Sequence, residues 1–235
     1  MMASAHTGGS TLRLLVVGHG RMGRLVESLC PDYGFEVAGV IDRAAAEDPA
    51  RWPAAQVAVD FSVGDAVPSN VRHLAERGVQ VVIGTTGWQA HEQNVRAAVA
   101  QHGIGVVAAA NFSLGVNVFL ALAERAGALM ADRPEFGAWI HELHHAAKRD
   151  APSGTAIALR LALERGGYRA PIDVASTRAG AIPGTHTIGF DAPAETIALT
   201  HTARDRTGFA RGALEAARWV HGRTGWFTMR DVLGI

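Results

Sequence analysis

Gly18-His19-Gly20-Arg21-Met22-Gly23 is the segment that most limits how this chain can fold. An apolar run, residues 12–17, leads into it, and a helical pattern leaves it and stops at Pro31. A second strand pattern, residues 36–41, then ends at Asp42, 24 positions after Gly18. Strand, glycine turn, helix, strand and acid in that order are the context a dinucleotide-binding turn demands. Gly18 permits the tight turn, Gly20 lets the backbone approach a pyrophosphate, and Gly23 lets helix and strand pack closely. The helix start offers unpaired N–H groups and positive potential to the phosphates. His19, Arg21 and Met22 complete the loop. Asp42 can accept hydrogen bonds from an adenosine ribose, which favours NADH, while Arg43 can pair with a 2′-phosphate, which favours NADPH. The expectation is that both cofactors work, with NADH favoured.

The same rhythm continues to residue 110. Residues 57–61, 79–83 and 104–108 are strand patterns, separated by helical stretches at 66–77 and 90–102. Strands apolar on both faces and alternating with helices mean a parallel sheet covered on both sides. Ligands of such sheets sit beyond the carboxyl ends of the strands. Phe61, Gly84-Thr85-Thr86-Gly87 and Ala109-Ala110-Asn111-Phe112 end three of these strands. They are therefore candidates for the cofactor site, the last two for its nicotinamide half.

After Asn111 the pattern changes. Residues 113–130 read as one long helix with Ser113 as N-cap. Residues 172–178, 185–190 and 195–201 read as strands, the last two alternating as in a sheet with one polar face. Residues 209–221 are again an amphipathic helix. The fold class expected is α/β: a Rossmann-like dinucleotide-binding domain, 12–110 plus 208–235, with an inserted α+β substrate and assembly domain, 111–207. Residues 1–11 read as a disordered tail, since they lack the basic and apolar regions of a signal peptide.

The 22 basic residues balance 22 acidic ones, which argues against a nucleic-acid partner. Every apolar run is interrupted well short of membrane-spanning length. The single cysteine, Cys30, excludes an intrachain disulfide and a cysteine metal cluster. Cytoplasmic localisation is the expectation.

Of the 22 Lys and Arg residues, one is lysine: Lys148. Arginine cannot replace lysine where a compact ammonium or a proton that can leave is needed. Lys148 lies between His144-His145 and Pro152-Ser153-Gly154-Thr155, where a helix should begin. Gly154 and Thr155 then present backbone N–H groups and a helix dipole, an anion site suited to a carboxylate. Lys148 and Arg206 add positive charge. An imidazole and an ammonium at one site suit proton donation to an anionic substrate. A competing reading is the zinc pattern His141-Glu142-Leu143-His144-His145, with Glu142 as base and Glu164 as a third ligand, which requires a helix. The dinucleotide segment argues against it, and no metal is expected. His186 and His201 lie on the expected sheet without an assigned role.

These segments together resemble the dihydrodipicolinate reductase family from Leu12 to Ile235. Glu142-Leu143-His144-His145 through Lys148 to Asp150-Ala151-Pro152-Ser153-Gly154-Thr155 carries the most specific part. Gly84-Thr85-Thr86-Gly87, Asn111-Phe112-Ser113, Arg178-Ala179-Gly180 and Pro183-Gly184-Thr185-His186 support it. Many members have Gly-x-x-Gly-x-x-Gly at the first turn. This chain is one residue shorter there, like the shorter members. The resemblance implies NAD(P)H-dependent reduction of 4-hydroxy-tetrahydrodipicolinate to tetrahydrodipicolinate in the diaminopimelate route to lysine. It implies His144 as proton donor, Lys148 as catalytic and substrate-binding lysine, and His145, Gly154, Thr155 and Arg206 as substrate contacts. It implies a small-molecule dicarboxylate as the partner and a homotetramer built on the inserted domain's sheet as the assembly. The alternative from another class is a non-catalytic NAD(P)H-binding regulator of the same fold.

Overall fold

The computed structural model describes residues 11–235, so the terminal segment read as a tail lies, apart from Thr11, outside the described residues. The chain divides into two compact units. One holds the residues up to Phe112 together with Phe209–Gly234, and the other holds Ser113–Gly208.

The first unit is a six-stranded parallel sheet with strands β1 (Leu12–Val17), β2 (Phe35–Ile41), β3 (Val57–Asp60), β4 (Gln80–Ile83), β5 (Gly105–Ala108) and β10 (Gly225–Phe227). Their order is β10-β5-β4-β3-β1-β2. The order reverses at β1, which pairs with β2 on one side and β3 on the other; this is the switch point where such sheets bind ligands. Strand alternation builds two cores. Leu14, Val16, Val57, Val59, Val82 and Val107 face helices α1 (Arg21–Leu29) and α6 (Thr207–Val220). Leu15, Val17, Ala58, Val81, Ile83 and Val106 face α2 (Val67–Glu76) and α3 (Glu92–His102). Burying each Val or Leu stabilises the unit by roughly 1.5–3 kcal/mol. The central strands read as unbroken apolar runs because both faces are covered.

Helix α1 starts three residues earlier than its apolar pattern suggests, because Gly20 is already its N-cap. The chain then leaves α1 through a tight turn, Cys30–Tyr33, with Pro31 at its start. Strand β10 and the short helix α7 (Met229–Leu233) carry too few residues to show a period in the sequence.

In the second unit, α4 (Leu114–Met130) and α5 (Gly154–Arg165) cover one face of a mixed sheet. The strands are β6 (Gly137–His144), β7 (Ile172–Arg178), β8 (Thr185–Ala192) and β9 (Glu195–Thr202), in the order β7-β6-β8-β9. Ser113 caps α4 by accepting the Val116 N–H at 3.4 Å. Two glycines let the helices meet backbone to backbone. A Cβ on Gly127 would stand 2.3 Å from the Leu163 carbonyl oxygen, and one on Gly166 2.1 Å from that of Glu124.

Strand β6 joins the three strands expected from the pattern of this region. Its residues alternate between buried and part-exposed, but two of the buried positions are Glu142 and His144. The alternation is therefore invisible to hydropathy. The strand also overturns the helical zinc pattern. In extended chain, at about 3.3 Å per residue, His141 and His145 stand some 13 Å apart, too far to share an ion. His141 instead bonds Thr177 Oγ1 at 3.0 Å, and Glu164 sits on the surface of α5 near Arg160.

Candidate functional site

The dinucleotide turn follows from its glycines. Gly18 has φ of 89°, and its N–H donates to the Ile41 carbonyl at 2.8 Å, which closes the turn onto β2. A Cβ on Gly23 would meet the Gly18 carbonyl oxygen at 1.9 Å, so only glycine fits where α1 crosses β1. A Cβ on Gly20 would meet nothing within 4 Å. Open space therefore lies beside the first turn of α1, whose N-cap makes no side-chain hydrogen bond. The residues present fit a pyrophosphate held by backbone N–H groups. Arg21 is exposed there and Met22 packs against the core. His19 is tied to Glu27, Nε2 to Oε2 at 2.8 Å. Asp42 and Arg43 are exposed just past β2, and Asp42 accepts the Ala45 N–H at 2.9 Å.

Asp60, a strand residue by its pattern, organises the next two loops. It is fully buried at the end of β3. Its Oδ1 accepts from the Ser62 N–H at 2.8 Å, the Ser62 hydroxyl at 2.7 Å and the Thr85 hydroxyl at 2.7 Å. Its Oδ2 accepts from Asn70 Nδ2 at 3.0 Å. The signal was legible: an acid closing an otherwise apolar, buried run. Gly84 leaves room for the Phe61 ring, since a Cβ there would stand 2.1 Å from it. Phe112 is buried and meets Phe61 edge-on at 6.3 Å, so its side chain belongs to the core. Thr86 is exposed beyond Thr85. A cavity of about 200 Å³ opens beside these loops, lined among others by Thr85, Trp88, Arg96, Ala109, Ala110 and Trp226. Asn111 follows, partly buried.

In the second unit, strand register assembles a polar cluster. Glu142 on β6 lies opposite His186 on β8, and His144 opposite Arg178 on β7. Glu142 Oε1 accepts from Arg178 Nη2 at 2.6 Å and from the Ser153 N–H at 3.3 Å. Its Oε2 lies against His144 Nδ1. Burial pushes the Glu142 carboxyl up, but hydrogen bonds from Arg178 and Ser176 and the nearby positive charges outweigh it and hold it at about 2. Burial, then the charges of Lys148 and Arg178, push His144 down, while Glu142 alone pulls it up. His186 packs edge-on against His144 at 5.0 Å and bonds the Ser153 hydroxyl at 3.0 Å. Burial and the charge of His144 push it down to about 4.

Ser153 Oγ also accepts the Ala156 N–H at 3.2 Å, capping α5. Gly154 and Thr155 thus form the first turn of α5. Gly154 is exposed, with nothing within 4 Å of a Cβ built on it. Lys148 Nζ meets Asp150 Oδ1 at 2.7 Å and Oδ2 at 2.9 Å. His145 is exposed just past β6, and Arg206 is exposed in the turn before α6. Glu142, His144 and His186 offer ligand atoms within 4.8 Å of one another, although Arg178 already occupies one oxygen of the carboxylate.

A parallel sheet with a glycine turn at its switch point defines the first unit as a dinucleotide-binding fold. The domain described as dihydrodipicolinate reductase, N-terminus, matches residues 12–112, and that described as dihydrodipicolinate reductase, C-terminus, matches 115–233. The 4-hydroxy-tetrahydrodipicolinate reductase of Acidiphilium cryptum is 40% identical, over 97% of this chain and 99% of that protein. The enzyme of the same name from Christiangramia forsetii is 34% identical, over 94% and 98%. A dipicolinate-bound dihydrodipicolinate reductase from Paenisporosarcina sp. TG-14 shares the fold, with a TM-score of 0.75 at 20% identity over 93% of this chain and 97% of that one. The chain belongs to the dihydrodipicolinate reductase family, and is an NAD(P)H-dependent oxidoreductase.

Proposed function

We propose that the protein reduces 4-hydroxy-tetrahydrodipicolinate to tetrahydrodipicolinate, with loss of water, in the diaminopimelate route to lysine. The observation that carries this reading is the cluster in the second unit: the His144 imidazole on the Glu142 carboxylate, with Lys148 and the first turn of α5 in the same unit. NAD(P)H, when bound, supplies the hydride. Gly18, His19, Gly20, Arg21, Met22 and Gly23 hold its pyrophosphate, Asp42 and Arg43 its ribose. Phe61, Gly84, Thr85, Thr86 and the 109–112 loop hold its nicotinamide half. Lys148, His145, Arg206 and the N–H groups of Gly154 and Thr155 hold the substrate's two carboxylates. His144, or a water it binds, gives the proton that balances the hydride.

NADH and NADPH both serve, with NADH favoured, because the Asp42 carboxylate can accept from the adenosine ribose while Arg43 can meet a 2′-phosphate, and both are exposed beside the turn. An apparent affinity about a hundredfold in favour of NADPH, some 2.7 kcal/mol, would contradict that preference. Assembly is a homotetramer through the sheet of the second unit, which light scattering on the eluting protein decides. No helix among the described residues is long and apolar enough to cross a membrane, in keeping with a cytoplasmic enzyme.

The deciding experiment is NADH oxidation with freshly condensed aspartate semialdehyde and pyruvate. Turnover that needs both precursors supports the reading. NADH binding without turnover would favour the non-catalytic regulator.

A further inference from the structure

Side chains two apart on a strand share a face. On β6 that face starts as core, with Ala138 and Ile140, and ends with Glu142 and His144. A carboxylate placed in such a position is costly unless every lone pair finds a partner. Arg178 and the Ser153 N–H take Oε1, while Oε2 stands against His144 Nδ1 in an ion-pair contact, and neither of these two atoms has a hydrogen-bond partner elsewhere among the described residues.

We propose that Glu142 is a positioning residue for His144: by facing Nδ1 it holds the imidazole with a proton on Nδ1 and leaves Nε2 as the atom that exchanges a proton with the substrate. The inference rests on the reading of His144 as proton donor. An ionised carboxylate has no hydrogen to give, so the nitrogen it meets must carry one. The space beside Nε2 is kept open by Gly184, where a Cβ would stand 3.0 Å from that atom. His186 is held by Ser153 and closes one side of the ring. Arg178 secures Glu142 from β7, so three strands and the start of α5 fix one tautomer. The charged and titratable groups around the ring are Glu142, Lys148, Arg178 and His186, and Glu142 is the one that stabilises an imidazolium.

The test combines nitrogen-15 NMR of the histidine rings with kinetics. His144 is assigned by the signal lost in His144→Gln. In the wild-type protein without substrate, its neutral ring should carry the proton on Nδ1. Glu142→Gln should lose roughly a hundredfold to ten-thousandfold in kcat, with the KM for NADH unchanged. Its kcat–pH limb for His144 should move to lower pH, because the group that favoured the charged ring is gone. Glu142→Asp should recover part of both. A purely structural role would lower yield or melting temperature without moving the limb. A wild-type ring protonated on Nε2 overturns the inference, as does a Glu142→Gln enzyme with wild-type kcat and pH profile. Wild-type protein inert toward the condensed imine would sink the functional reading instead. The NMR measurement, made without substrate, would still decide the tautomer.

Discussion

Lys148 is clasped by Asp150: Nζ meets Oδ1 at 2.7 Å and Oδ2 at 2.9 Å, and the Gly154 backbone N–H helps hold the same carboxylate in its charged form. The ammonium and the helix-start N–H assigned to a substrate carboxylate are thus already bridged by a carboxylate of the chain itself. Lys148 and the N–H groups of α5 are matched to one acid geometry before any substrate arrives.

Replacing Lys148 tests whether that geometry matters. Lys148→Ala should lose most turnover and raise the substrate KM, while NADH still binds. Lys148→Arg keeps the charge but substitutes a planar fork for a compact donor, and should remain well below wild-type rate. Steady-state NADH oxidation reads both. Full activity of the arginine variant would mean that the one lysine of this chain stands here by chance.

Asp150→Asn removes the internal acid and frees Lys148. Asp150 is exposed, and an exposed ion pair is worth about 0.2–1 kcal/mol. The substrate KM should therefore fall by no more than about fivefold. A KM that rises instead would show that Asp150 orients Lys148 and does not compete for it.

Asp60→Asn should weaken cofactor binding without touching the second unit. The amide would set its own N–H groups against the donors that Asp60 now satisfies, at a cost of about 1–3 kcal/mol. Calorimetric titration with NADH should show a weaker Kd. Unchanged affinity would leave Asp60 as a fold residue only.

Acid should destabilise the protein in two steps. His186 takes its proton at about 4 in the fold against 6.5 when free, so it contributes stability above pH 6.5 that is lost as pH falls toward 4. Glu142 stands at about 2 against 4.5, and its contribution is lost as pH falls from 4.5 toward 2. Each is of the order of 3 kcal/mol. Thermal melts followed by circular dichroism should decline below pH 6.5, and His186→Gln should flatten the decline between 6.5 and 4. A variant with the same decline would assign it elsewhere.

The first unit was legible because its physics is local. Strands covered on both faces read as unbroken apolar runs, and Gly18 and Gly23 are demanded by backbone geometry that the sequence names outright. The second unit was legible only in part. Lys148 stood out by composition, and Ser153 by its place before a helix. Glu142 and His144 hid β6, because polar residues fill buried positions of that strand. Arg178 and His186 come from strands more than thirty residues away, and only sheet register brings them to the cluster. Asp60 carried a signal, an acid ending an apolar strand, whose meaning depended on a loop 25 residues later.

Strand β6 also bears on how this enzyme can change over time. The opposite face of the strand is locked as well, since Gly189 on β8 makes room for the Trp139 indole, which a Cβ would approach to 2.2 Å. A single inserted or deleted residue between Trp139 and Glu142 would either turn Glu142 and His144 outward or carry Trp139 into the core. Loops can lengthen and shorten among relatives, but this segment can be edited only by substitution. Length variation in the family should therefore stop at its borders.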